Sequence, residues 1–165
     1  MDTIPNVYDD PARAAAYATL EYPGTYWLAF RDLPALIAKH VTGTRALDFG
    51  CGAGRSTRFL EGLGFEAVGV DVSESMLARA REGARQAGTP QVRFEKGDMR
   101  ALPIADESVD VAISNGVINL APDKTKVFSE LYRIVKPGGR LQFADIVVGT
   151  ELSDAVRNNI DLWTG

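Results

Sequence analysis

Two periods of apolar residues alternate along the chain. Short runs of strand type fall at residues 46–49, 66–70, 91–95, 109–114 and 140–148, and between them apolar positions recur at the spacing of amphipathic helices. Residues 55–63 put Phe59, Leu60 and Leu63 on one helical face and stop at Gly64. Residues 74–86 gather Met76, Leu77, Ala80 and Ala84 on one side, with arginines opposite as a solvated face. Residues 122–135 carry Val127, Phe128, Leu131, Ile134 and Val135 at helical spacing, and Lys136-Pro137-Gly138-Gly139 is expected to end that helix. Ahead of the first strand, Asp10-Pro11 has the form of a cap and first helical residue for a helix to about Leu20. A second helix is expected over 25–41, burying Trp27, Leu28, Phe30, Leu33, Leu36 and Ile37; Pro34 either kinks it or marks a new start capped by Asp32. A last helix is expected over 152–163. Five strands joined by four crossovers predict an α/β chain with one parallel sheet and helices on both faces.

The sharpest change of pattern follows the first strand, where Asp48 is succeeded by Gly50, Gly52 and Gly54 on alternate positions and then by helical spacing. Such glycines let the chain reverse at positive φ and let a ligand approach the backbone, while the helix N-terminus behind them offers free N–H donors to an anionic group. A dinucleotide fingerprint would place its third glycine where this chain has Arg55, so the pattern departs from it. A buried Asp48 needs a donor or a cation beside it, and an ammonium group is one such partner. Asp71 follows the second strand, 21 residues after Gly50, close to the spacing at which a carboxylate reaches a ribose. The other reading of Asp71 is a helix cap, a role that Ser73 can fill alone. Gly97-Asp98-Met99, after the third strand, is by itself a turn signal.

Taken together and in order, D-F-G-C-G-A-G at 48–54, V-G-V-D at 68–71, K-G-D-M at 96–99, D-V-A-I-S-N at 110–115 and K-P-G-G at 136–139 resemble the class I S-adenosylmethionine-dependent methyltransferases over roughly residues 8–148. The stretch S-N-G-V-I-N-L-A-P-D-K at 114–124 is similar to the arsenite methyltransferases among them. The resemblance implies a Rossmann-like sheet of strand order 3-2-1-4-5, S-adenosyl-L-methionine as cofactor, and in-line methyl transfer to a small-molecule acceptor. A cofactor-binding module or incomplete methyltransferase without its own turnover is the alternative. By the same resemblance Asp48, Gly50, Cys51 and Gly52 line the methionine part and Asp71 holds the ribose. Val72 and Met76 flank the adenine, although Met76 also reads as plain core. Asp98 and Met99 meet the adenine edge, and Ser114, Asn115 and Gly116 lie on the sulfur side. Asn119 and Asp145, at or beyond strand ends, are the polar residues expected to touch the acceptor. Residues 1–44 would be an N-terminal helical lid segment ahead of the cofactor-binding part at 45–165, with Tyr8 and Tyr17 over the cofactor. The aromatic-rich front end also reads as packing against the sheet. The family usually adds two strands after the fifth, and the residues after Val148 are too few for a helix and that hairpin, so these strands are expected to be absent. Leu141, Phe143, Ile146, Val147 and Val148 would then sit on an edge that the last helix covers or that a second copy pairs with as a homodimer.

Length and composition add limits. At 165 residues and 45% hydrophobic, the chain has the bulk of one domain with a core. A net charge of −4 argues against a nucleic-acid surface. The start has no signal-peptide pattern and no apolar run reaches the length of a membrane span, which leads to the expectation of a cytoplasmic protein without membrane contact. Cys51 is the only cysteine, and in the glycine loop it reads as a packing residue rather than a reactive thiol. His40 is the only histidine, so no His-based metal site is expected. Transfer from a sulfonium asks mainly for orientation and dryness, and proximity alone is worth on the order of 7–11 kcal/mol in the best cases, so the lack of a triad is neutral.

Overall fold

Five parallel strands form one sheet in the computed structural model, which describes residues 6–20, 27–28, 30–151, 153 and 156. They are β1 (Arg45–Phe49), β2 (Glu66–Asp71), β3 (Arg93–Lys96), β4 (Val109–Asn115) and β5 (Val135–Ala144), lying side by side in the order β3-β2-β1-β4-β5. Helices α1 (Pro11–Thr19) and α2 (Leu33–His40) precede the sheet; α3 (Arg55–Gly62), α4 (Glu74–Gln86) and α5 (Lys124–Ile134) lie on crossovers. The Rossmann-like order is the one the motifs implied.

The pleat of β1 divides the core. Leu47 and Phe49 share a cluster with Val70, Val127, Leu131 and Ile134, while Ala46 packs with Leu60 and Val111 on the other face, where Ile37 and Val41 also pack. Helix starts follow the capping chemistry legible in the sequence: the Ala12 N–H donates to Asp10 Oδ1 at 2.8 Å, and the Met76 N–H donates to Ser73 Oγ at 3.3 Å.

One of the front-end readings is met in part, and other expectations are corrected. The front helix starts anew at Leu33 with Asp32 in the cap position, but the Asp32 carboxylate is taken by the Arg31 guanidinium at 2.6 and 2.9 Å and caps nothing. Trp27, Leu28 and Leu36, expected to be buried, are 61%, 59% and 48% exposed. Among the described residues this region meets the domain through Phe30 on Phe59 (ring centroids 4.6 Å apart) and through Ile37. The third strand starts at Arg93 rather than Gln91.

The fifth strand begins directly after α5 and includes Lys136-Pro137-Gly138-Gly139, because the ladder jumps from Val109↔Val135 to Val111↔Arg140. The intervening residues bulge out, with Gly138 at φ +81° and Pro137 lacking an N–H to contribute. It ends at Ala144, four residues early, where Asp145 draws the Ile146 N–H onto its own Oδ1 at 2.8 Å. Leu141 and Phe143 therefore belong to the edge strand, whereas Ile146, Val147 and Val148 lie beyond it. Of the helix expected over 152–163 only Ser153 and Val156 are described, the Val156 N–H donating to Ser153 O at 3.0 Å; the rest lies outside the described residues.

Candidate functional site

A cavity of about 290 Å³ opens where β1, β2 and β4 end, lined by Gly50, Gly52, Asp71, Asp98, Asn115 and Gly116 among others. That location follows from the topology: the strand order reverses between β1 and β4, and the loops leaving them separate to form a crevice. Gly50 turns at φ +69°, where a Cβ would meet Val117 Cγ1 at 2.4 Å, so the first glycine of the loop is needed for packing of the post-β4 loop. Gly52, at φ +51°, has only Tyr17 Cε1 nearby at 3.5 Å.

Asp71 is mostly buried at the cavity wall. Its Oδ2 accepts the Gly52 N–H at 2.8 Å and its Oδ1 the Ser73 N–H at 2.9 Å. The carboxylate only accepts, and it keeps acceptor capacity at the cavity wall beyond these two bonds. Burial raises its pKa above the ordinary carboxylate range, against the lowering effect of the N–H groups of Ser73 and Gly52. Val72 and Met76 line the same side; Val72 is half exposed and Met76 is buried.

Asp98 and Met99 line the cavity after β3. Arg100, not singled out from the sequence, grips Asp98: its Nε lies 2.9 Å from Oδ1, its Nη2 2.6 Å from Oδ2, and its backbone N–H donates to Oδ1 at 2.8 Å. This bonding holds the Asp98 carboxyl below the usual range.

The remaining expected site residues divide. Asn115 and Gly116 line the cavity, while Ser114, one position back along the pleat, is buried with an Oγ that finds no partner among the described residues. Asp48 does not line the cavity. It is 3% exposed behind the loop, and Ser56 Oγ and Thr57 Oγ1 each donate to its Oδ2 at 2.6 Å. Burial pushes its pKa up to about 6, opposed by the two hydroxyls and helped by the charge of Asp71. Cys51 is also behind the loop, packed with Leu77, Ala80 and Phe94, and burial pushes its thiol pKa up. Asn119 and Asp145 are absent from the cavity wall. Both Asp145 oxygens accept backbone N–H groups, from Ile146 and, at 3.0 Å, from Asn119, so the pair braces the loop that carries Leu120 into the cavity.

Tyr8 and Tyr17 line the mouth with their rings edge to face at 5.2 Å. Their segment is tied down from the site itself: Ser73 Oγ donates to Tyr8 O at 2.7 Å, and Arg55 Nη2 to Ala18 O at 3.0 Å and Leu20 O at 2.6 Å. No helix among the described residues is long and apolar enough to cross a membrane.

Residues 40–164 match the family model described as a methyltransferase domain. The chain is 40% identical over 136 residues to an arsenite methyltransferase of Halobacterium salinarum, covering 80% of this chain and 34% of that protein. It is 38% identical over 125 residues to the malonyl-[acyl-carrier protein] O-methyltransferase of Pectobacterium atrosepticum, covering 74% of this chain and 47% of that protein. The crystallised phosphoethanolamine N-methyltransferase 2 of Haemonchus contortus, in complex with phosphomonomethylethanolamine and S-adenosylhomocysteine, superposes with a TM-score of 0.67 at 30% identity, over 80% of this chain and 32% of that one. The chain spans about a third to a half of the length of these relatives.

Proposed function

The chain belongs to the class I S-adenosylmethionine-dependent methyltransferases, and from that premise we propose that its cavity binds S-adenosylmethionine and holds it for methyl transfer to a small-molecule acceptor. The observation that carries this is Asp71: a mostly buried carboxylate at the end of β2 that lines the cavity, is fixed by backbone donors and keeps acceptor capacity for a ribose diol. The rest of the cavity fits the same group. Val72, Met76 and Met99 offer apolar walls for a purine, Asp98 an acceptor at its edge, and Gly52 leaves the backbone uncovered toward the methionine end.

The chemistry supplied at this site is an activated methyl on a sulfonium. What the protein does is bind, orient and keep water out. Asn115 and Gly116 border the sulfur side, and Tyr8 and Tyr17 close the mouth as a lid. Asp48, behind the loop, acts on a bound cation through its field rather than by contact. A cytoplasmic setting, a small-molecule rather than nucleic-acid acceptor, and a second copy of the chain at the open edge of β5 belong to the same reading.

Calorimetry with S-adenosylmethionine and S-adenosylhomocysteine, followed by a labelled-methyl transfer screen over small acids, amines and thiols, tests the proposal. Binding of both with label appearing in an acceptor is the expected result. Binding with no transfer to any acceptor would favour a cofactor-binding module, and no binding would end the reading.

Arsenite is not the acceptor we expect. Trivalent arsenic is a soft centre that calls for thiolate ligands, and the single cysteine is packed under the glycine loop with its thiol held protonated. Purified protein with cofactor, arsenite and thiol reductant should yield no methylated arsenic by mass spectrometry, and its detection would reverse this assignment.

A further inference from the structure

Helix α5 does not line the cavity, yet it holds two of the segments that do. At its start, Lys124 Nζ donates to Asn119 O at 3.3 Å and to Ala121 O at 3.0 Å, on the loop that brings Leu120, Ala121 and Pro122 to the wall. Near its end, Glu130 and Arg133 stand three positions apart on one face and reach the segment after β3, which brings Asp98 and Leu102 to the wall. Glu130 Oε2 accepts the Leu102 N–H at 2.8 Å, Arg133 Nη2 donates to Leu102 O at 3.2 Å, and Arg133 Nη1 donates to Ile104 O at 2.8 Å. The other N–H groups of the guanidinium go to Glu130 Oε1 at 2.9 Å, Glu130 Oε2 at 2.7 Å and Asp106 Oδ1 at 2.6 Å, so all of its donors are engaged. Among the described residues, Glu130 and Arg133 are the only hydrogen-bond partners of the Leu102 N–H and of the Leu102 and Ile104 carbonyls, and Leu102 is buried. Without the pair these backbone groups lose their bonds, a loss that the segment can relieve only by moving toward water.

We propose that Glu130 and Arg133 are positioning residues for cofactor binding: acting through Leu102 and Ile104, they fix the post-β3 wall of the cavity relative to the wall that the start of α5 holds. Neither residue lines the cavity. The inference rests on the reading of the cavity as an S-adenosylmethionine site and adds that α5 sets the spacing of two of its walls. A wall released from α5 gains freedom that binding must then remove, so affinity falls even where the fold survives.

The test is calorimetry with S-adenosylhomocysteine on the wild-type chain, Arg133→Gln, Glu130→Ala and Arg133→Lys, run well below each melting temperature so that the folded form dominates. Lys136→Met is the control for a purely structural role. Lys136 Nζ donates to Asp110 Oδ1 at 2.8 Å, and Asp110 Oδ2 accepts the N–H groups of Thr44 and Arg45 at 3.0 and 2.9 Å. That is a similar charge pair on backbone groups, but at the starts of β1, β4 and β5, whereas the cavity opens where strands end. Arg133→Gln and Glu130→Ala should weaken S-adenosylhomocysteine by roughly 10-fold or more, the scale of a misplaced site wall. Arg133→Lys, which keeps the charge but has three donors and no fork, should weaken it by roughly three- to tenfold, and Lys136→Met by less than about twofold. An Arg133→Gln that binds as well as the wild type, or no worse than Lys136→Met, makes the pair a contact of the fold alone and overturns the proposal. Should Arg133→Gln fail to fold, Arg133→Lys decides by the same criterion. Neither result touches the cofactor reading, whereas a wild type that binds no S-adenosylhomocysteine overturns both.

Discussion

Asp48 and Asp71 close neighbouring strands and are both raised in pKa by burial, but their partners give them different work. The Asp48 carboxyl meets the hydroxyls of Ser56 and Thr57 deep under the loop, and with a folded-state pKa of about 6 against 3.8 the folded chain binds its proton more tightly than the unfolded chain does. The stability gained from that proton is complete below about pH 4, declines from about pH 4 to 6, and is gone above, a span on the order of 2–3 kcal/mol. Asp48→Asn removes this dependence. Thermal melts of both proteins across the range should show the wild type losing ground to the variant as pH rises, and the opposite trend would mean that the hydroxyls of Ser56 and Thr57 favour the anion. Asp71 should show its effect in binding instead. Asp71→Ala should weaken S-adenosylhomocysteine by about 1.5–3 kcal/mol, as expected for hydrogen bonds to a charged acceptor, and equal affinity in a folded variant would exclude the ribose role. The place of Asp71 was legible because strand end and glycine loop fix it together. The grip of Arg100 on Asp98 was not, since it depends on a turn conformation that a two-residue separation alone does not reveal. The absence of Asn119 and Asp145 from the cavity wall was hidden for a similar reason: being polar and near strand ends, they have the marks of site residues, and only the folded chain shows that Asp145 is committed to backbone donors.

Elements whose ends carry their own chemistry were the most legible. Asp10 and Ser73 cap α1 and α4 as their spacing requires, and each of the five apolar runs overlaps one of the five strands. The element hardest to read was β5, because a Pro-Gly-Gly stretch ordinarily ends regular structure and here is accommodated as a bulge against β4. The front segment was legible as helix and aromatic, but what fastens it was not. Arg55, at the start of α3, donates to the last carbonyls of α1, where a cation also complements the negative end of the helix. The latch thus ties the glycine-loop helix to the segment that carries Tyr17. If that segment is the lid, Arg55→Ala should speed S-adenosylhomocysteine release by roughly 5- to 30-fold, the change expected for about 1–2 kcal/mol of lost hydrogen bonding. Stopped-flow displacement measures it, and a release rate equal to wild type would mean that the segment packs without gating.

At the scale of the molecule the sheet has a well-covered centre and, among the described residues, two edges, β3 and β5. β1 is paired on both edges and buried on both faces, whereas β5 pairs with β4 alone among the described residues. Along and just beyond this edge Phe143 is 44% exposed, Ile146 66% and Val147 88%, with Tyr132 of α5 at 88% nearby in sequence to Phe128, whose ring packs on Phe143 at 5.8 Å. A row of backbone donors and acceptors flanked by apolar side chains is a template for another strand, and a helix laid over it can cover side chains but cannot complete the ladder. A second copy presenting the same edge completes it for both chains about a two-fold axis. Light scattering on the purified protein should therefore find dimers at tens of micromolar, roughly the range in which exposed edges associate. Phe143→Lys and Ile146→Lys place charges on and beside the edge and should return the protein to monomer while leaving S-adenosylhomocysteine affinity unchanged, because neither residue lines the cavity. A wild-type chain that stays monomeric at that concentration would assign these apolar side chains to the fold's own surface rather than to a contact between copies.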